Sequence, residues 1–187
     1  MEQRFIQSIC PGTKVVTIGC NGRDAPMKTV ALFILKHLRL MKDRFYPVYI
    51  WLDREGRDRA AIQLIDELTT EIKSSGFSDF VIGMPDRHTE TWILHDWELI
   101  TSRCSTPPVR PVTIEGSFGK SLLRKFLPEY TEVIMGVELL KSANVARIYE
   151  SSPSFALFAD QINMRCWWLE KIKPPSISEP SAPSPLN

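Results

Sequence analysis

The 187-residue chain has almost no net charge, +1 with its histidines neutral, and only three histidines and four cysteines. So small a charge excludes a global basic field, and any nucleic-acid contact must use a local patch. Cys10, Cys20, Cys104 and Cys166 are scattered without a C-x-x-C pair. That argues against a zinc site and leaves free thiols in a reducing cytosol as the expected state. Long hydrophobic runs are lacking too. The longest, around VALFILKHLRL, falls far short of the roughly 20 residues a spanning helix needs. The stretch MEQRFIQSICPG has neither a basic n-region nor a long apolar one, so it does not read as a signal peptide. The expected location is cytoplasmic, with no membrane partner.

What is present fits an ordinary globular domain, with 43% apolar and 24% charged residues. At this length one domain is expected, burying about 70% of its unfolded surface. KVVTIGC (14–20), β-branched and followed by the turn chemistry of NGRDAP, reads as a first strand. MKTVALFILKHLRLMKDRF has helical spacing, with Lys28, Lys36, His37, Arg39 and Lys42 off the apolar face. YPVYIWL reads as a second strand. DRAAIQLIDELTTEIKSSG reads as an amphipathic helix stopped at Gly76, and DFVIGM as a third strand. Alternating strands and helices predict parallel pairing with right-handed crossovers.

After Pro85 the pattern turns helical. TETWILHDWELI reads as one helix, GKSLLRKFLPEY and GVELLKSAN as two short ones, and SPSFALFADQINMRCWWLEKI as a longer last one. The expected domain spans 1–172, with its helical part from about residue 86. Residues 173–187, rich in Pro and Ser, read as a disordered tail.

YIWLDREGRDR (49–59) raises the chemical question. Asp53 and Glu55 lie at the carboxyl end of the second strand, where ligand sites gather in open α/β sheets. Positions i and i+2 of a strand share a side, so two hard oxygen ligands would converge on one Mg²⁺ or Mn²⁺, unless a turn beginning at Asp53 splays them. The ordinary alternative is a charged strand exit whose carboxylates pair with Arg54, Arg57 and Arg59. PDRHTETWILHDWE (85–98) adds Asp86, Arg87, His88, Glu90 and Asp96 near the end of the third strand. Trp92 and Trp97 within it are more simply core or interface anchors. Lys120, Arg124 and Lys125, with Arg87 and Arg110, would form a modest phosphate-binding patch. CSTPPVR is a poor phosphatase loop, because Pro107 and Pro108 offer no N–H to a phosphate. EGSFGKS is a poor Walker loop, because Ile114 stands where its first glycine would.

Taken together, VYIWLDREGR, PDRHTETWILHDWE, GKSLLRKFLPEY and SSPSFALFADQI resemble the small bacterial Toprim-like proteins of unknown function. The resemblance covers most of residues 14–170. It implies an α/β domain with a central, mainly parallel sheet flanked by helices, related to the Toprim domains of overcoming-lysogenization-defect nucleases. It also implies a metal-holding acidic pair at Asp53 and Glu55, and a glutamate at the end of the first strand. That glutamate is missing: Gly19 and Cys20 stand there, and no carboxylate appears before Asp24. Asp24 or Glu90 would then have to assist. The function implied is a divalent-metal-dependent nuclease or nuclease subunit, with Arg87, Lys120 and Arg124 steadying the phosphate. Its setting would be prokaryotic anti-phage defence, beside a partner protein such as an ATPase. The alternative is an inactive Toprim-like scaffold subunit, its aromatic residues serving as a contact surface. A small-molecule phosphotransferase is weaker, for want of a phosphate loop. A homo-oligomer is compatible with all three.

Overall fold

Val48 to Trp51 are β-branched or aromatic, and they form strand β1 (Val48–Trp51) of the computed structural model, which describes residues 1–19, 25–41, 47–162, 168–170 and 172. β1 pairs in parallel with β2 (Phe80–Gly83), in a register running from Val48–Phe80 to Trp51–Gly83. The ladder continues beyond both strands, with Leu52 N–H donating to Gly83 O (3.0 Å) and Arg54 N–H to Pro85 O (3.2 Å). Ile50 and Ile82 face one hydrophobic core, while Tyr49, Trp51 and Val81 pack against a second. A sheet covered on both faces explains why the strand sequences are apolar throughout rather than alternating.

The first core is closed by α2 (Met27–Met41) and α3 (Ala61–Lys73), the crossover helix between the strands. Met27, Val30, Ala31, Ile34, Leu35 and Leu38 form the buried stripe of α2, and Leu64, Ile65, Leu68 and Ile72 that of α3. The second core takes in α1 (Glu2–Ile9), α4 (Thr89–His95), α5 (Trp97–Ser102), α6 (Gly119–Phe126), α7 (Val137–Ser142), α8 (Val145–Ser151) and α9 (Pro153–Ala159). A π turn, Glu132–Gly136, leads into α7. The described chain is thus a mixed α/β fold, with a two-stranded parallel sheet between helical layers. No helix among the described residues is long and apolar enough to cross a membrane.

Three expected elements differ. Residues 14–19 form no strand; 14–18 line one side of a cleft of about 820 Å³ beside β1, with α1 and α2 on its other walls. β-branched composition favours a strand only where a neighbour completes the ladder. The expected helix over 89–100 is two helices, because Asp96 (φ −86°, ψ 72°) breaks it. Its carboxylate accepts from Leu99 N–H at 3.4 Å, Asn144 N–H at 2.7 Å and Arg147 at 3.1 Å, so it starts α5 and ties down α8. The long last helix ends at Ala159 in a turn; residues 163–167 and the 173–187 tail lie outside the described residues. Cys20, Asp24, Cys166 and Trp167 lie outside them as well.

Candidate active site

Asp53 lies two residues past β1, at the end of the cleft. Its Oδ1 accepts two bonds from one residue, Thr89 N–H at 3.1 Å and Thr89 Oγ1 at 3.1 Å. Thr89 Oγ1 in turn accepts from Trp51 Nε1 at 3.0 Å. The first turn of α4 thus fixes the carboxylate, and Trp51 fixes that turn. The three arginines that follow bind elsewhere. Arg54, itself buried, donates to Asp86 and to Arg57 O, Arg57 reaches the carbonyls of Asp53 and Arg54, and Arg59 pairs with Glu67. Asp53 is therefore not one half of an ordinary charged strand exit.

Burial pushes the Asp53 carboxyl up to about 8, and the charges of Glu2 and then Glu90 add to the rise, against the opposing Thr89 bond. Glu55 contributes least. The i, i+2 rule holds only inside a strand, and Glu55 sits in a turn at φ +54° with its N–H on Arg87 O (2.8 Å). Arg87 is also left-handed, at φ +73°. Two non-glycine residues in this sparsely populated region, side by side at the ends of both strands, are the kind of strain that concentrates at working sites.

Glu90, on α4, is buried, and Tyr130 donates to its Oε1 at 3.1 Å. Burial raises the Glu90 carboxyl above its ordinary range; its own backbone and the Tyr130 bond oppose this, while Glu132 and Glu2 reinforce it. Glu2 and Glu90 thus weigh more on the Asp53 charge than the expected Glu55. Among the described residues no three His, Cys, Asp or Glu side chains form a group that could hold one metal ion. The expected phosphate contacts are engaged within the chain. The Arg87 guanidinium lies 4.3 Å over the Phe118 ring and donates to Gly116 O, while Lys120 and Arg124 both pair with Glu132. Glu2, Thr89, Tyr130 and Glu132 were not singled out from the sequence. Only Thr89, beside the R-H-T-E-T-W run, carried a local signal, as a hydroxyl at a helix start.

These placements set a pH dependence. Unfolded Asp53 loses its proton near 3.8 and folded Asp53 near 8, so folding stability falls as pH rises through that window. Asp53→Asn keeps an acceptor for Thr89 and removes the charge. Above about pH 8 the variant should be more stable than wild type by about 1–3 kcal/mol, a discounted share of the shift, or roughly 3–10 °C. At about pH 4 the two should match. Thermal melts at both pH values check this, and coincident curves at high pH would contradict the crowding of Asp53.

A second polar cluster lies at the last residue of α4, His95. Glu115 Oε1 accepts from Ser152 Oγ (2.6 Å) and Ser154 Oγ (2.9 Å), and His95 Nδ1 meets Ser151 Oγ at 2.9 Å. Ser152 caps α9 ahead of Pro153, so the S-S-P-S-F run is a helix start bolted to Glu115. Burial, then the charge of Arg110, pushes His95 down to about 4, although Glu115 stands 3.9 Å from Nε2. Unfolded His95 takes a proton near 6.5, so stability present above that pH is lost as pH falls towards 4. His95→Gln should flatten this acid limb in urea titrations, whatever it does to stability at neutral pH. An unchanged slope would place the acid sensitivity elsewhere.

Comparison with protein-family models, with curated proteins and with solved structures finds no match.

Proposed function

We propose that this chain is a Toprim-like domain that takes Mg²⁺ or Mn²⁺ beside Asp53 and acts on nucleic-acid phosphodiesters. It would serve as a nuclease or nuclease subunit in prokaryotic anti-phage defence, beside a partner protein such as an ATPase. The observation that supports this reading is Asp53 itself. Its carboxylate stands past the carboxyl end of a parallel strand, at a cleft, with Glu2 and Glu90 pressing their charge on it and the neighbouring arginines turned away. That is a place where a cation would relieve repulsion. The donors suit a hard ion, since Mg²⁺ is usually held by one or two carboxylates with water completing its shell. Bound there, the ion would neutralise phosphate charge and activate a water or hydroxyl.

The chain's own residues would divide the remaining work. Thr89 holds Asp53 Oδ1, so Oδ2 would be the oxygen to meet a cation. Tyr130 orients Glu90, which is placed to hold or accept a proton. Lys120 and Arg124 would meet the phosphate. Glu55, in its turn, is assigned no more than an outer role. A catalytically silent Toprim-like scaffold is the second reading, favoured by the turn that carries Glu55 and by the spread of the described acidic side chains.

The test is to titrate Mn²⁺ and Mg²⁺ by calorimetry into wild type and Asp53→Ala, then incubate both with labelled single- and double-stranded DNA and RNA. Binding should be lost in the variant, and metal-dependent cleavage should fall by about 10²-fold or more. Cation binding that survives Asp53→Ala removes this site. Cation binding without cleavage selects the scaffold.

A further inference from the structure

Lys120 and Arg124 lie one turn apart on α6 and so share a face. A single oxygen, Glu132 Oε1, forms the ion pair with both, at 3.5 Å from Arg124 and closer to Lys120. One anionic oxygen between two cations is the arrangement a phosphate oxygen adopts on a basic pair. We propose that Glu132 is an internal competitor for phosphate: its carboxylate occupies the seat on Lys120 and Arg124 that a nucleic-acid backbone phosphate takes, and an incoming strand docks by displacing it. The proposal deepens the nucleic-acid reading above and rests on it for the identity of the anion.

Three features fit such an exchange. The side chains of Lys120, Arg124 and Glu132 are 35, 57 and 36% exposed, so an external anion can reach the pair. Exposed ion pairs add little to stability, and giving one up for an equivalent anion costs little. Glu132 also opens a π turn, whose Gly136 N–H reaches back to Thr131 O at 3.0 Å. Such widened turns are rare and recur at functional positions. Its far end is pinned, because Gly136 packs so closely that a Cβ there would come within 2.8 Å of the Tyr130 hydroxyl. Its near end faces solvent, with Val133 45% and Ile134 63% exposed beside Glu132. Finally, Gly119 lets the first turn of α6 abut the backbone of Glu90 and Thr91, which sets the basic pair next to the candidate active site.

The experiment measures anisotropy of labelled single-stranded and duplex DNA and RNA with the intact chain in EDTA. It uses wild type, Glu132→Gln, the double variant Lys120→Gln/Arg124→Gln, and the triple variant. Glu132→Gln should bind about tenfold more tightly, with a slope of log affinity against log salt steeper by about 1–2. The triple variant should bind no better than the double. Melting curves confirm that each variant folds. Equal affinities for wild type and Glu132→Gln, a gain that survives loss of Lys120 and Arg124, or no binding by either protein each overturn the proposal. Inorganic pyrophosphate competing as well as an oligonucleotide, phosphate for phosphate, overturns nucleic acid as the ligand. Because EDTA removes divalent cations, failure of the cation site at Asp53 leaves this result untouched, and the reverse holds as well.

Discussion

Trp92→Ala should lower the unfolding free energy by about 3–5 kcal/mol, a large part of the roughly 5–15 kcal/mol a domain has. Trp92 is fully buried and touches aromatic rings from three directions. Ring centroids lie at 5.0 Å from Trp51, 5.0 Å from Phe155 and 5.8 Å from Phe158, the last pair stacked. Its Nε1 donates to Ser154 Oγ at 2.8 Å, which continues to Glu115. One residue thus joins β1, α4 and α9, and truncating it leaves a cavity and takes one donor from a hydroxyl that still donates to Glu115. Trp92→Phe keeps most of the volume and should cost about 1–2 kcal/mol through the lost bond and lost area. Urea denaturation of both variants checks the ranking. Losses below about 1 kcal/mol for Trp92→Ala would mean that the aromatic cluster does not hold these layers together.

The parts of the fold legible in the sequence are those whose signal is local and repeated. α2 and α3 bury stripes at three- and four-residue spacing, and β1 and β2 are short apolar runs between turn residues. α1 escaped because only Phe5 and Ile9 anchor it, too few to show a period. The break at Asp96 escaped because its partners Asn144 and Arg147 are 48 and 51 residues away. Nothing in W-I-L-H-D-W-E says that the aspartate will serve two other helices. KVVTIG misled in the opposite sense: its composition suits a strand, yet residues 14–19 have no ladder in the structure.

The candidate site divides along the same line. Asp53 was legible because an apolar run ends there. Glu55 reads as its partner from strand alternation, but β1 stops at Trp51 and Glu55 lies beyond it in a turn, lining the same cleft. Glu2 and Glu90 weigh more on the Asp53 charge, from 51 and 37 positions away by subtraction of residue numbers, a proximity that only the packing of α1 and α4 creates. Likewise the lysine and arginine of α6 read as free phosphate contacts, and the fold gives both to Glu132. In each case the residue type was readable and its partner was not, because the partner is set by tertiary packing.

Gly119→Ala should cost about 1–3 kcal/mol and disturb the candidate site from outside it. A Cβ at Gly119 would lie 2.5 Å from Thr91 N, 2.8 Å from the Glu90 carbonyl carbon and 2.9 Å from Thr91 Oγ1. Two of these are backbone atoms of α4, and that backbone is held. Thr91 N–H donates to His88 O at 2.9 Å, Thr91 Oγ1 donates to Asp86 O at 3.0 Å, and Thr89 is bonded to Asp53. The first turn of α4 has little room to yield, so α6 must back away. Leu123 and Leu127 then lose packing in the second core, and Lys120 and Arg124 move away from Glu90. Gly83→Ala makes the useful contrast, because the three atoms nearest its Cβ, at 2.7–2.9 Å, all belong to the Phe158 ring of α9 and none to α4. It should leave cation and oligonucleotide titrations nearly unchanged, because it strains the aromatic cluster and not the seam between α4 and α6. A Gly119→Ala protein as stable as wild type would show that α4 and α6 slide past one another freely. The seam between them would then no longer account for where Lys120 stands relative to the carboxylates.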